Sequence, residues 1–246
     1  MAPAATFAKD HHLRLLQGAQ ELFPTLVRAM DAALSDIQLE TYIFDFTGAA
    51  VAVAEALERA ARRGVRTHVV VDGVGTGRLP QKWARRFKEA GVQWRVYAPP
   101  GWFGLLSPRH WRRLHRKLCV VDGWLLFCGG INILDDFHDP NHGPLAAPRL
   151  DFAVEVAGSL VAQASEAMEQ LWWRIEAVRD LRRRDLPEAV RALRAASATR
   201  HAARLQRDAP GVRAALVLRD NLRFRGHIEK AYLRAIAAAR QEIIIA

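Results

Sequence analysis

The sequence is poor in cysteine, short of acidic side chains, and free of long apolar runs. Its two cysteines, Cys119 and Cys128, each sit in a short apolar stretch. They make neither a disulfide framework nor a C-x-x-C metal pair, so a reducing compartment with buried, inert thiols is expected. No segment reaches the roughly 18 uninterrupted apolar residues of a membrane-spanning helix. The first ten residues also lack a charged region followed by an apolar stretch, so any membrane contact should be peripheral. Asp and Glu number 26 against 36 Lys and Arg, a net charge of +10. That balance disfavours cationic partners and favours nucleic acid or an acidic lipid surface, without separating the two.

With 246 residues and 50% hydrophobic content, the chain can bury the core of one large domain, or of one domain with part of another. Apolar residues at helical spacing predict a helix over 19–34, followed by a β-branched and aromatic strand over 37–44. A helix over 51–63 closed by Gly64, a strand over 67–71, a helix over 79–90 closed by Gly91 and a strand over 93–97 come next. Two apolar runs, 116–121 and 124–128, flank Asp122-Gly123, a pair favoured in tight hairpins. A strand over 152–156 and a helix over 159–178 follow. Such alternation implies an α/β sheet covered on both faces. Residues 179–210 are rich in Arg and Ala with few large apolar side chains, the composition of a solvated basic helical connector.

Residues 29–39 align with 235–245, at an offset of 235 − 29 = 206. In both places an Ala-rich helix runs through one acidic residue into an apolar stretch, as an internal repeat would, though two ordinary helix–strand joints would look the same. The organisation expected is a first domain over 1–178, a connector over 179–210 and the start of a second domain over 211–246.

The chemistry lies in His115-Arg116-Lys117-Leu118-Cys119-Val120-Val121-Asp122, continuing to Gly129-Gly130-Ile131-Asn132. On a strand, residues two apart share a face, so His115 and Lys117 project together. Attack on a phosphodiester needs such a pair. The phosphorus already carries negative charge around it, and a fixed ammonium stabilises the non-bridging oxygens while imidazole attacks and later leaves. Gly129 and Gly130 let the backbone approach a phosphate, and the Asn132 amide can donate to its oxygens. One at a time, each residue has an ordinary structural explanation; six in one 18-residue window do not.

The pattern resembles the H-x-K-x4-D signature of the phospholipase D superfamily, and residues 13–173 resemble its cardiolipin synthases. Further echoes are Leu39-Glu40-Thr41-Tyr42-Ile43, Val70-Val71-Asp72-Gly73 and Asp151-Phe152-Ala153-Val154-Glu155-Val156. The resemblance implies an α-β-α sandwich with a mixed central sheet, one complete half plus the start of a second. It implies that His115 is either the nucleophile that forms a phosphohistidine or the general acid and base for another histidine. His115, Lys117 and Asp122 would form the catalytic set, with Asp122 supporting the motif's geometry; Lys117, Gly130 and Asn132 would hold the phosphate, and Asp151 would bond the histidine's second nitrogen, with Glu155 the competing carboxylate. The expected reaction converts phosphatidylglycerol to cardiolipin and glycerol, with no metal and no cofactor. Enzymes of this kind build one site from two such motifs, and a second H-x-K-x4-D is absent. The 206 offset would put a second histidine near 321, so a missing half or a homodimer is expected to complete the site.

Just before His115, the stretch 99–113 mixes Trp102, Phe103 and Trp111 with Arg109, Arg112 and Arg113, the composition of a segment at an anionic lipid interface. The expected setting is the cytoplasmic face of a bacterial membrane. The same arginines could track a nucleic-acid backbone, which leaves a phosphodiesterase or nuclease acting as a homodimer, or an inactive lipid-binding fragment, as rival readings. Gly73-Val74-Gly75-Thr76-Gly77 lacks phosphate-loop spacing and is expected to be a mobile turn at the site rim. The acidic stretch from Asp135 to Pro148 is expected to close over the site.

Overall fold

The structure, a computed structural model, describes residues 7–99, 113–139, 143–182, 211–217 and 226–243. Its strands are β1 (Ala8–Gln17), β2 (Asp36–Thr41), β3 (Arg66–Asp72), β4 (Gln93–Tyr97), β5 (Leu118–Val121), β6 (Leu125–Gly129), β7 (His138–Asp139), β8 (Gly143–Pro144), β9 (Phe152–Ala157) and β10 (Val212–Ala214). The helices are α1 (Gly18–Ala32), α2 (Ala50–Arg62), α3 (Gln81–Ala90), α4 (Leu160–Arg182) and α5 (His227–Ala238).

Eight strands form one mixed sheet in the order β10-β1-β9-β6-β5-β2-β3-β4. β2, β3 and β4 are parallel, as their helical crossovers require, and the other pairings are antiparallel. Side-chain alternation splits the core into two layers. Ile37, Leu39, Cys119, Val121, Phe127 and Ala153 pack under α1, α2 and α3. On the other face Leu118, Val120, Leu126 and Val156 meet Leu160, Val161, Ala164 and Met168 of α4. The α-β-α sandwich with a mixed sheet is therefore present.

The predicted helix stops are glycines in the left-handed region, Gly64 at φ 90° and Gly91 at φ 92°, where any other residue would be strained. The Asp122-Gly123 hairpin is also found, with φ 50° and 68° at the two positions. Two features differ from expectation. β1 was not foreseen. β2 stops at Thr41 instead of running to 44, because the chain leaves the sheet to run beside residues 132–134, with a parallel bridge between Phe44 and Ile133. Of the apolar stretch 243–245 expected as a strand after α5, only Ile243 is among the described residues. Of the connector expected over 179–210, residues 179–182 belong to α4 and the rest lie outside the described residues.

Candidate active site

The carboxyl ends of β2 and β3, the entry to β5, the end of β6 and the start of β9 meet at one edge of the sheet. That edge is where open α/β sheets present ligand sites. His115 and Lys117 lie on the extended approach to β5, and His115 is exposed. The Lys117 ammonium turns back to the His115 carbonyl oxygen at 3.4 Å and stands 5.7 Å from the centre of the Tyr42 ring. Tyr42 stacks on the His115 imidazole, with centroids 4.5 Å apart and planes 13° from parallel. Burial lowers the Lys117 pKa and the charge of Asp151 opposes that drop, so the carboxylate helps keep the half-buried amine protonated.

Arg116 points to the other face. Its guanidinium meets Glu40 at 2.8 Å, and Glu40 is almost fully buried. Burial raises the Glu40 carboxyl to about 7, against the lowering effect of Arg116. The alternation expected for His-Arg-Lys is thus realised: one cation anchors the strand while the next faces the site.

Gly129 and Gly130 continue the edge. The Gly130 N–H donates to the Phe152 carbonyl at 2.9 Å, and a Cβ on Gly130 would collide with Asp151 Oδ1. Glycine is therefore required for Asp151 to lie against this turn. Asn132 accepts from the Ile43 N–H through Oδ1 at 3.0 Å. Because a backbone N–H can only donate, the amide oxygen faces it. Nδ2 is left as a donor with no partner among the described residues.

The structure brings together His115, Lys117, Gly130, Asn132 and Asp151. It does not bring Asp122 to them. Asp122 lies at the far end of β5, where its carboxylate accepts from the Leu34, Ser35 and Asp36 N–H groups at 2.8–2.9 Å and from the Ser35 hydroxyl at 2.8 Å. Burial pushes this carboxyl up, and those donors more than reverse the effect, so its pKa ends below the usual value. Its place is that of a support for the joint between α1 and β2, which corrects the expectation that Asp122 shares the catalytic site with His115 and Lys117. Glu155, the competing carboxylate, sits within β9 and pairs with Arg14 at 3.8 Å, away from the edge.

Two expectations need correction. Arg113 does not face a lipid surface: its side chain is only 13% exposed and meets the buried Asp72 carboxylate at 3.7 Å. Trp102, Phe103, Arg109, Trp111 and Arg112 lie outside the described residues. Likewise, Asp135 and Asp136 are ties and not a free flap. Asp136 is buried and accepts from the Ala19 N–H at the start of α1, while Asp135 accepts from the Ala49 and Phe137 N–H groups.

Sequence reasoning assigned no role to Tyr42 or Asp72, although both lie in stretches quoted for the resemblance. Asp72, fully buried, accepts from the Leu114 N–H at 2.8 Å and so fixes the chain one residue before His115. The available signal was an acidic residue at the end of an otherwise apolar strand.

Known proteins resemble this chain in the same region. Residues 26–147 match the family described as "Cardiolipin synthase, PLD-like domain". Cardiolipin synthase B of Escherichia coli (strain K12) is 31% identical over 251 aligned positions, which cover 98% of this chain and 54% of the relative. Cardiolipin synthase A of Pseudomonas putida is 29% identical, covering 67% of this chain and 34% of the relative. The chain thus spans about half the length of the curated relatives it matches. Among solved structures, Nuc of Salmonella typhimurium, a phospholipase D family member, aligns with a TM-score of 0.47 and 18% identity, covering 66% of this chain and 94% of that one.

Proposed function

Because this chain belongs to the phospholipase D-like family of the cardiolipin synthase kind, we propose that it supplies a phosphatidyltransferase site acting on anionic phospholipid. In the reaction, an imidazole nitrogen attacks the lipid phosphorus. A P–N bond forms, the P–O bond to the headgroup breaks, and that alcohol leaves with a proton. The hydroxyl of a second phosphatidylglycerol then attacks, the P–N bond breaks, and cardiolipin and glycerol result; with water as acceptor the product is phosphatidic acid. His115 is the nucleophile or the acid and base for a second histidine. Lys117 and Asn132 Nδ2 hold the non-bridging oxygens, and Asp151 orients the histidine.

The observation that carries this reading is Lys117. Arg95, Arg113 and Arg116 all pair with carboxylates. Lys117, half-buried and directed at His115, has no ion-pair partner among the described residues. With the Asp151 charge nearby but not ion-paired to it, this cation is placed to take an anion, and a phosphodiester beside an imidazole fits.

The site is completed by a second H-x-K motif, from another copy of the chain or from a second domain of the same kind. A likeness of backbone supports the second domain. α1 and α5 end with the same geometry 206 residues apart, Ala33 at φ −61°, ψ 139° and Ala239 at φ −65°, ψ 137°, each N–H donating back to residue 30 or 236. The protein works at the cytoplasmic face of the membrane as a peripheral partner.

The test is turnover on phosphatidylglycerol vesicles against turnover on DNA. Cardiolipin and free glycerol from the vesicles support the proposal. Cleavage of DNA that falls steeply with salt and needs no lipid would replace it with a nuclease.

A further inference from the structure

Tyr42 lies in face contact with His115, and the proposed chemistry gives it no task. An exposed histidine has three χ1 wells and a broad χ2, yet attack on phosphorus requires the ring-plane lone pair to be held in line with the bond that breaks. A single hydrogen bond to the far ring nitrogen leaves the imidazole free to turn about that bond. A parallel aromatic face at 4.5 Å removes this freedom.

We propose that Tyr42 is a positioning residue that fixes the His115 ring plane, with Gly75 kept free of a side chain so that the tyrosine ring can lie there. The proposal rests on His115 being a reacting group. The Tyr42 carbonyl accepts from Thr76 Oγ1 at 2.9 Å. A Cβ on Gly75 would run into that same carbonyl oxygen and lie 2.9 Å from both Cε atoms of the ring, so a larger residue must push the ring off its seat. Asp72 shapes this turn, with Oδ1 accepting from the Val74 and Gly75 N–H groups at 2.8 and 3.2 Å. Its other oxygen accepts from Leu114 at 2.8 Å. Both partners of the stack, the turn under Tyr42 and the segment that carries His115, therefore hang on one buried carboxylate. The glycine-rich turn 73–77 is thus a shelf for Tyr42 and not a phosphate loop.

The experiment compares the wild-type chain with Tyr42→Phe, Tyr42→Leu and Gly75→Ala. The readouts are the NMR resonances of the His115 ring, assigned with a His115→Ala sample, and kcat and KM on phosphatidylglycerol vesicles. A histidine stacked on an aromatic face has ring protons shifted upfield. That shift should persist in Tyr42→Phe and vanish in Tyr42→Leu and Gly75→Ala. kcat should fall on the order of 10²-fold in Tyr42→Leu with KM little changed, and Phe should restore it. An unchanged His115 shift in Tyr42→Leu, or a wild-type kcat there, overturns the proposal. If the shift behaves as expected but wild type turns over no lipid, the stack stands and the proposed function fails.

Discussion

Arg116 and Lys117 are adjacent cations with opposite fates, and the difference is one of strand parity. Arg116 turns into the α4 layer and meets Glu40. Lys117 turns toward His115 and Tyr42. The H-x-K spacing made this legible, because a period of two is enforced by the backbone. What it could not show was which residues other elements would bring to the same edge; Tyr42 arrives from the end of β2, and Asn132 is aimed by a backbone N–H of Ile43. Replacing Lys117 by Met should lower kcat by about 10²-fold or more and leave the urea midpoint near that of wild type, since Lys117 holds no element in place. The reverse is expected at Asp122, whose carboxylate accepts four hydrogen bonds from residues 34–36. Asp122→Ala should cost about 2 kcal/mol of stability, read by urea unfolding, while turnover per folded molecule stays close to wild type.

At the scale of elements, β5 is clamped from both faces, by its apolar neighbours and by the Glu40–Arg116 pair beneath its entry. Glu40 rises from 4.5 to about 7 because it is buried. Its neutral form thus favours the folded state, a contribution complete below pH 4.5 and lost as pH climbs through about 7. His68, stacked on Trp172, has the opposite sign. Burial takes it from 6.5 to about 4, so its contribution is present above 6.5 and lost as pH falls through about 4. Comparing wild type with Glu40→Gln cancels the His68 effect, which both share. Between about pH 5 and about pH 8 the wild-type urea midpoint should fall relative to that of Glu40→Gln; parallel curves would show that Glu40 is ionised throughout. Elements whose apolar pattern matches their own geometry were legible, as with α2 and β5. β1 was not, because its residues are largely exposed and only His11 and Leu16 are buried within it. Pairing with β9 makes it a strand, and such tertiary pairing leaves no local pattern to read.

For the whole molecule, the sandwich sets one histidine and one lysine on an open sheet edge, whereas the proposed transfer uses two histidines. On that proposal a second copy of the motif meets this edge, from another copy of the chain or from a tandem domain. The sequence repeat proposes the second of these sources, although alanine-rich helices are common in any α/β chain. The most direct measurement is cardiolipin formation from phosphatidylglycerol vesicles by wild type and His115→Ala, at matched fold and with oligomeric state determined on the same samples. The account predicts cardiolipin and glycerol from a wild-type preparation in which two copies of the motif meet, and none above background from the variant. Equal rates from the two proteins would show that His115 takes no part in the chemistry and would contradict it.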